Sequence, residues 1–504
     1  MHRIAARIII ILSVAVFAAA LVYPPVAALC RPVPDGGASA AIRTTAHPSL
    51  WLLARSSALA AGATILALVL ALPGAFVIGR TLYGPMRRLR LAVALTVLPL
   101  LFPPMVYGFG WDRVMGGRVG YLLCVWVWAS WAWPIPALVL GGVWARSGQD
   151  AYHEALTVTG PLRAMAWIAL PALRAPAGIC GLILFAFFLG DYSVPHSCGL
   201  MVTATDLLAI AESGARTAAL FSASAGVSVV ILAALGAAVA VAWTTPPTRY
   251  DRSQTVRSTD RRLPWITVVI VLATMGPPVW RLTRNVAMAG AIRRAVETYG
   301  MELIGSLLIA LAAGVVSVIM GMGVVAWRRA WRGAAFWSLV AAALPGALVG
   351  QCLISGYLPI GLLYDHWPIM VLAYVARFGW IGVLAAWMVR SAADREQMQA
   401  ARMDGADEPA VLWQVGYRAH WPVLLAAVSV VTSLSVAEVA TTSMVRVPGV
   451  TPVSLLLVEK FHRFEDDMLV ALSFVPMLTA LPAVVMGVMA AGQWSSRRVV
   501  AQRR

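Results

Sequence analysis

Read for polarity alone, the chain alternates between long apolar runs and short polar, mostly Arg-bearing interruptions. Crossing a hydrocarbon core takes about 20 apolar residues as a helix. The runs predict twelve spans, at 8–29, 57–79, 91–111, 120–145, 175–190, 217–243, 264–280, 303–327, 334–359, 368–389, 422–440 and 467–491. The fifth is the shortest, because Gly190-Asp191 closes it early. Helices are the expected element, since they satisfy their own backbone polar groups in lipid.

One connection differs from the rest. TTPPTRYDRSQTVRSTDRR, residues 244–262, is long, polar and central. It divides the chain into a first six-helix module (1–243), a linker (244–262) and a second six-helix module (263–504). The halves share landmarks in order. ALAAG stands at Ala58–Gly62 and at Ala310–Gly314, and Leu98-Pro99 and Leu344-Pro345 each fall in the following span. Repeats of this kind predict a pseudo-dimer with a pathway along its seam.

Composition sharpens the class. Hydrophobic residues make up 60% of the 504 and charged residues 12%, about half the share usual in soluble domains. Mean hydropathy is +0.80. The expected class is therefore an all-α integral membrane protein in a lipid bilayer. The net charge of +17 would suggest nucleic acid in a soluble protein. Here it reflects arginines in short loops, and no nucleic-acid partner is expected. With the N-terminus in the cytoplasm, 25 of the 39 basic residues fall in cytoplasmic loops, and Arg377 alone lies within a span. That bias predicts both termini inside. MHRIAARIIIILSVAVFAAALVYPP imitates a signal peptide, but its apolar run is long and no A-x-A site closes it. It is expected to remain as the first helix. The five cysteines show no metal spacing, and no disulfide framework is expected.

Two polar segments stand out, both between the fourth and fifth spans of a half. The first is DAYHEALTVTGPLRAMAWIALPALRAP (150–176) and the second contains QAARMDGADEP (399–409). Each has an Ala-bearing helical start, a Gly that permits a sharp turn, and a second amphipathic stretch. Gly160 and Gly405 are 245 residues apart, and the spacing becomes 247 beyond them.

These segments resemble the cytoplasmic loop of binding-protein-dependent ABC importer permeases, whose signature is roughly E-A-A-x3-G-x9-I-x-L-P. Glu154, Ala155, Gly160, Leu170 and Pro171 carry the match in the first copy; Gln399, Ala400, Ala401, Asp404 and Gly405 carry it in the second. Gln399 replaces the Glu, and Tyr417-Arg418 replaces the Leu-Pro. The first copy lacks the second Ala and is two residues shorter. A second likeness follows. FFLGDYSVPHSCG (187–199) and SLSVAEVATTSMVRVPGVTPVSLLLVEKF (433–461) are similar to the segments after the fifth helix in double-length permeases of the ferric-iron type, with thiamine and phosphonate relatives.

The resemblance implies a bacterial inner-membrane permease subunit. It would dock two separate ABC ATPase subunits through the two loops and receive solute from a periplasmic or lipoprotein binding protein. ATP would bind the partner ATPase, with no cofactor or metal on this chain. Asp191 and Glu438, 247 residues apart, are then candidates for a pair at the pathway or gate; the other reading is that each carboxylate pairs with an arginine or caps the next helix. Arg377 is expected to serve a structural role, and His196, His420 and His462 have no ligand spacing.

The chain has no G-x-x-x-x-G-K-[ST], and Lys460 is its only lysine, so ATP hydrolysis by a P-loop is excluded. GxSxG and HExxH are also absent. Two other classes stay open: a proton-coupled 6+6 secondary carrier, although GRTLYGPMRRLR lacks the Asp of the major facilitator loop, and a degenerate membrane scaffold.

Overall fold

The computed structural model describes residues 2–30, 50–81, 86–117, 120–145, 149–213, 217–244, 262–286, 290–327, 331–393, 395–479, 481–482 and 485–486. Among these every regular element is helical. Seven helices are long and apolar enough to cross a membrane: Ile8–Ala28, Leu50–Gly79, Met165–Leu189, Ala219–Ala242, Trp265–Arg284, Ala291–Ala326 and Pro368–Ser391. Four further pairs pass the same test together but are bent, which raises the number to as many as eleven. The protein is thus a multi-pass helical membrane protein.

The fifth span is longer than its hydropathy suggested, running 25 residues from Met165 to Leu189. Only part of the twelfth expected span, 467–491, and almost none of the 244–262 linker lie within the described residues.

The bends have local causes. In the first half, Leu91–Leu101 and Pro104–Val114 meet at 83°. Phe102 is extended (ψ 134°) and Pro103 follows with ψ 135°, since a residue before proline is driven out of the helical region. In the second half, Gly333–Ala343 and Gly346–Tyr357 meet at 115° around Pro345 (ψ 147°). The counterpart of Leu344-Pro345 is therefore Phe102-Pro103, not Leu98-Pro99. Pro99 lies in a tight 3-10 turn just ahead of the break.

The helices group into two compact units. One holds Met1–Leu50, Thr203–Ser228 and Asn285–Ala490; the other holds Trp51–Val202 and Val229–Arg284. Each unit therefore combines most of one half with the opening helix of the other half.

In the first of these units the tightest seam joins Ala291–Ala326 to Pro368–Ala392. A methyl placed on Gly321 would lie 2.3 Å from the Gly382 carbonyl carbon, and one on Gly382 would lie 2.1 Å from the Ser317 oxygen. Small residues let two backbones touch where lipid offers no hydrophobic drive for association. The N-terminal span packs here as well. Ser13 donates to the Ile319 carbonyl, and the two tyrosines Tyr23 and Tyr357 donate reciprocally to Gly356 and Ala19. Ala19 lies in a π-turn, Ala18–Val22, whose wider bonding leaves a carbonyl for Tyr357 to take.

The other unit solves the same problem with proline. Pro278 has no N–H, so the carbonyl four residues back, on Thr274, loses its helical partner. The buried Tyr107 hydroxyl donates to that carbonyl at 2.7 Å. Gly110 lies against Pro278 and Leu282, so Pro104–Val114 reaches this helix closely.

Candidate functional site

Both polar segments adopt one design. The first is a helix, Gln149–Thr159, then Gly160 at φ +78°, the short helix Pro161–Ala164 and a π-turn, Met165–Ala169, that runs into the span Leu170–Leu189. The second is Arg395–Met403, Gly405 at φ +81°, Glu408–Val411 and a π-turn, Leu412–Tyr417, before Trp421–Ala437. The π-turns start 247 residues apart. In each, a backbone N–H reaches back five residues, Leu170 to Met165 and Arg418 to Trp413. The left-handed φ explains the glycines, and a Cβ at either would meet nothing within 4 Å. These positions are constrained by backbone conformation, with space left around them.

The first segment is attached by aromatic packing. Trp144 ends the helix before it and meets Phe76 edge-on at 5.2 Å and Tyr152 at 5.4 Å. Ala75, Leu140, Ala164, Ala169 and Leu173 complete this core. The Thr157 and Thr159 hydroxyls donate back to the Glu154 and Ala155 carbonyls of the preceding turn. Glu154, Leu170 and Pro171 are exposed, and Ala155 and Gly160 half-buried.

The second segment is attached by charge as well as by the packing of Leu412 and Tyr417. Glu408 accepts from Arg390 and Arg402, and Arg390 also donates to the Val325 carbonyl. Asp407 caps the short helix by accepting from the Ala410 N–H. Tyr417, which departs from the Leu-Pro pattern, is buried, and its hydroxyl donates to the Met322 carbonyl at 3.0 Å. Gln399, Ala400, Asp404 and Gly405 are exposed and Ala401 is half-buried.

Each segment also carries an apolar side chain that the resemblance did not mark. Val158 is 84% exposed and Met403 88% exposed, each two residues before its glycine. The two side chains occupy matching places in the two segments. The signal was in the sequence as an apolar residue at position −2 from each Gly.

Asp191 and Glu438 also occupy matching places, and both cap short helices. Asp191 accepts from the Ser193 and Val194 N–H groups at 3.0 and 3.2 Å and from the Trp128 indole at 2.8 Å. Glu438 accepts from the Thr441 N–H at 3.0 Å, with the Thr441 hydroxyl 3.1 Å away. The short helices they start, Ser193–Ser197 and Ala440–Met444, each press on a glycine of a broken span. A methyl on Gly108 would fall 2.2 Å from Ser197 Oγ, and one on Gly350 would fall 2.5 Å from Met444 Cβ. Capping thus accounts for both carboxylates and fixes the packing of each broken span. His196 stacks on Tyr192 at 4.8 Å. Among the described residues no group of three or more His, Cys, Asp and Glu side chains is gathered for a metal ion.

Arg377 has a role that the sequence did not disclose. It donates to the Leu344 carbonyl, the last one before Pro345. In the first half Trp131 does the same for Phe102.

No protein-family model, curated protein or solved structure matches the chain.

Proposed function

We propose that this chain is the transmembrane permease subunit of an ATP-driven, binding-protein-dependent importer, with its two polar segments docking the ATPase subunits. The duplicated helix–glycine–helix–π-turn, present in both halves ahead of a span, carries this reading. The element has what a transmission joint requires. Its outer helix exposes small side chains beside one apolar knob, Val158 or Met403, so a partner can approach closely and bury that knob. Its inner end continues into a span in the first copy and meets one across an 85° bend in the second, so a push on the outer helix is delivered to the span that follows.

Under this reading the segments face the cytoplasm, and ATP is bound and hydrolysed by two partner chains. A separate periplasmic or lipid-anchored binding protein delivers the solute. The solute class rests on the resemblance of 187–199 and 433–461 to ferric-iron-type permeases, and ferric iron or a related small solute is the cargo to try first. Asp191 and Glu438 belong to this machine as caps that set the position of the broken spans beside the route of transport.

The test is purification of the tagged full-length chain from its native membranes in mild detergent. An ATPase that co-purifies with the wild type, and is lost from the Ala401→Trp variant, supports the proposal. Solute uptake that persists without any ATPase partner overturns it in favour of a secondary carrier.

A further inference from the structure

The two segments share a backbone design but are joined to their spans by different chemistry, and the difference centres on Glu408. Its carboxylate lies 3.1 Å from Arg390 Nη2 and 3.0 Å from Arg402 Nη2. Arg402 Nε adds a second bond at 3.1 Å, so this guanidinium grips the carboxylate with two nitrogens. Arg390 belongs to the last turn of Pro368–Ala392, and its Nη1 donates at 2.6 Å to the Val325 carbonyl near the end of Ala291–Ala326. One carboxylate therefore ties the outer helix Arg395–Met403 to the ends of the two spans that touch backbone to backbone. The Arg390 and Glu408 side chains are 24% and 20% exposed, so the contact is shielded more than a surface ion pair.

Among the described residues of the first segment no such carboxylate–arginine pair is present. Trp144 ends the preceding helix, and Pro-Leu-Arg-Ala fills 161–164 with no acidic residue. Its joint includes the edge-on contacts of Trp144 with Phe76 and Tyr152.

We propose that Glu408 is a positioning residue that adds an ionic tie to the packing of Leu412 and Tyr417 and so makes the second segment move as one body with the ends of Ala291–Ala326 and Pro368–Ala392. The first segment is joined through the aromatic contacts of Trp144 with Phe76 and Tyr152. The two docking sites are then mechanically inequivalent, and neutralising Glu408 disconnects one of them. The proposal rests on the importer reading for its meaning in transport, but the hub itself can be tested without any partner.

The test uses the full-length chain in lipid nanodiscs and amide hydrogen exchange. Glu408→Gln is expected to speed exchange across 395–411 by about tenfold and to leave 149–164 unchanged. Glu408→Asp should restore most of the protection. Equal exchange of 395–411 in wild type and Glu408→Gln overturns the hub. If Glu408→Gln does not fold, Arg402→Gln, which leaves the Arg390 contact in place, is measured in the same way against the same expectation. A second arm reads function. In the complex purified through this chain, Glu408→Gln should retain the ATPase and its basal hydrolysis, while the stimulation of hydrolysis by the solute-loaded binding protein falls about tenfold. Unchanged stimulation overturns the transmission role. Absence of any ATPase from the wild-type preparation overturns the importer reading, and the exchange result still decides the hub.

Discussion

The indole N–H of Trp131 donates to the carbonyl of Phe102 at 2.9 Å, at the place where the chain turns out of one helix and into the next. Phe102 is extended, so its carbonyl has no helical donor, and inside a membrane no water replaces one. Arg377 serves Leu344 in the same way in the second half. Leaving such a carbonyl unsatisfied costs about 1–3 kcal/mol. Trp131→Phe should lower stability by that amount in a detergent unfolding titration, and Arg377→Met by at least as much. The two residues share no partner, so the double variant should show the sum of the two losses.

The contact of Gly321 with Gly382 sets a second expectation. Any side chain at either position meets backbone, which cannot swing aside. Gly382→Ala should cost about 1–3 kcal/mol, and a larger residue should prevent folding. Gly142 has no neighbour within 4 Å of a Cβ, so Gly142→Ala is the matched control with little effect. Thermal midpoints in the same detergent compare them.

At Gly160 and Gly405 the constraint is conformational. A β-branched residue at their left-handed φ costs about 1–2 kcal/mol. Asn tolerates that region better. Gly405→Val should therefore lose the co-purifying ATPase while Gly405→Asn keeps most of it. Equal loss in both would point to crowding at the docked surface in place of turn strain.

Lys460 offers a chemical test, since it is the only lysine in the chain. It is buried, 2.9 Å from Glu465, and lies over the ring of Tyr299 at 5.3 Å. Hydrogen bonds to Tyr299 and Glu465 hold its pKa above the usual lysine value. An amine-directed acylating reagent at pH 8 should leave Lys460 unmodified in the folded protein and label it after denaturation, as read by peptide mass. A folded pKa raised above the unfolded one means the stabilisation is fully present below about pH 10.4 and fades as pH climbs through the higher folded value. Lys460→Met should thus narrow the stability gap between pH 9 and strongly alkaline solution.

Spans were legible because lipid imposes one rule on every residue of a helix, and a run such as 303–327 obeys it visibly. The bends were less so. The Phe-Pro-Pro at 102–104 was as visible as Leu98-Pro99, but a pairing based on Leu-Pro spelling favoured the wrong proline. The turn follows the residue forced into extended geometry, which only the fold identifies. The two polar segments were found through their glycines, whose conformation is demanded locally. Glu408 was missed as a hub because Arg390, Arg402 and Val325 come from three separate stretches. The π-turns were hard to read: MAWIA and LWQVGY share an exposed tryptophan, but not at the same offset.

Those π-turns also decide how the outer elements are aimed. A π-turn holds one residue more than the helical turn it interrupts, so whatever lies ahead of it is rotated about the axis relative to an unbroken helix. In both segments the short helix after the glycine is therefore swung around from the line that the following residues alone would give it. The direction each segment presents to its surroundings is set by one extra backbone residue.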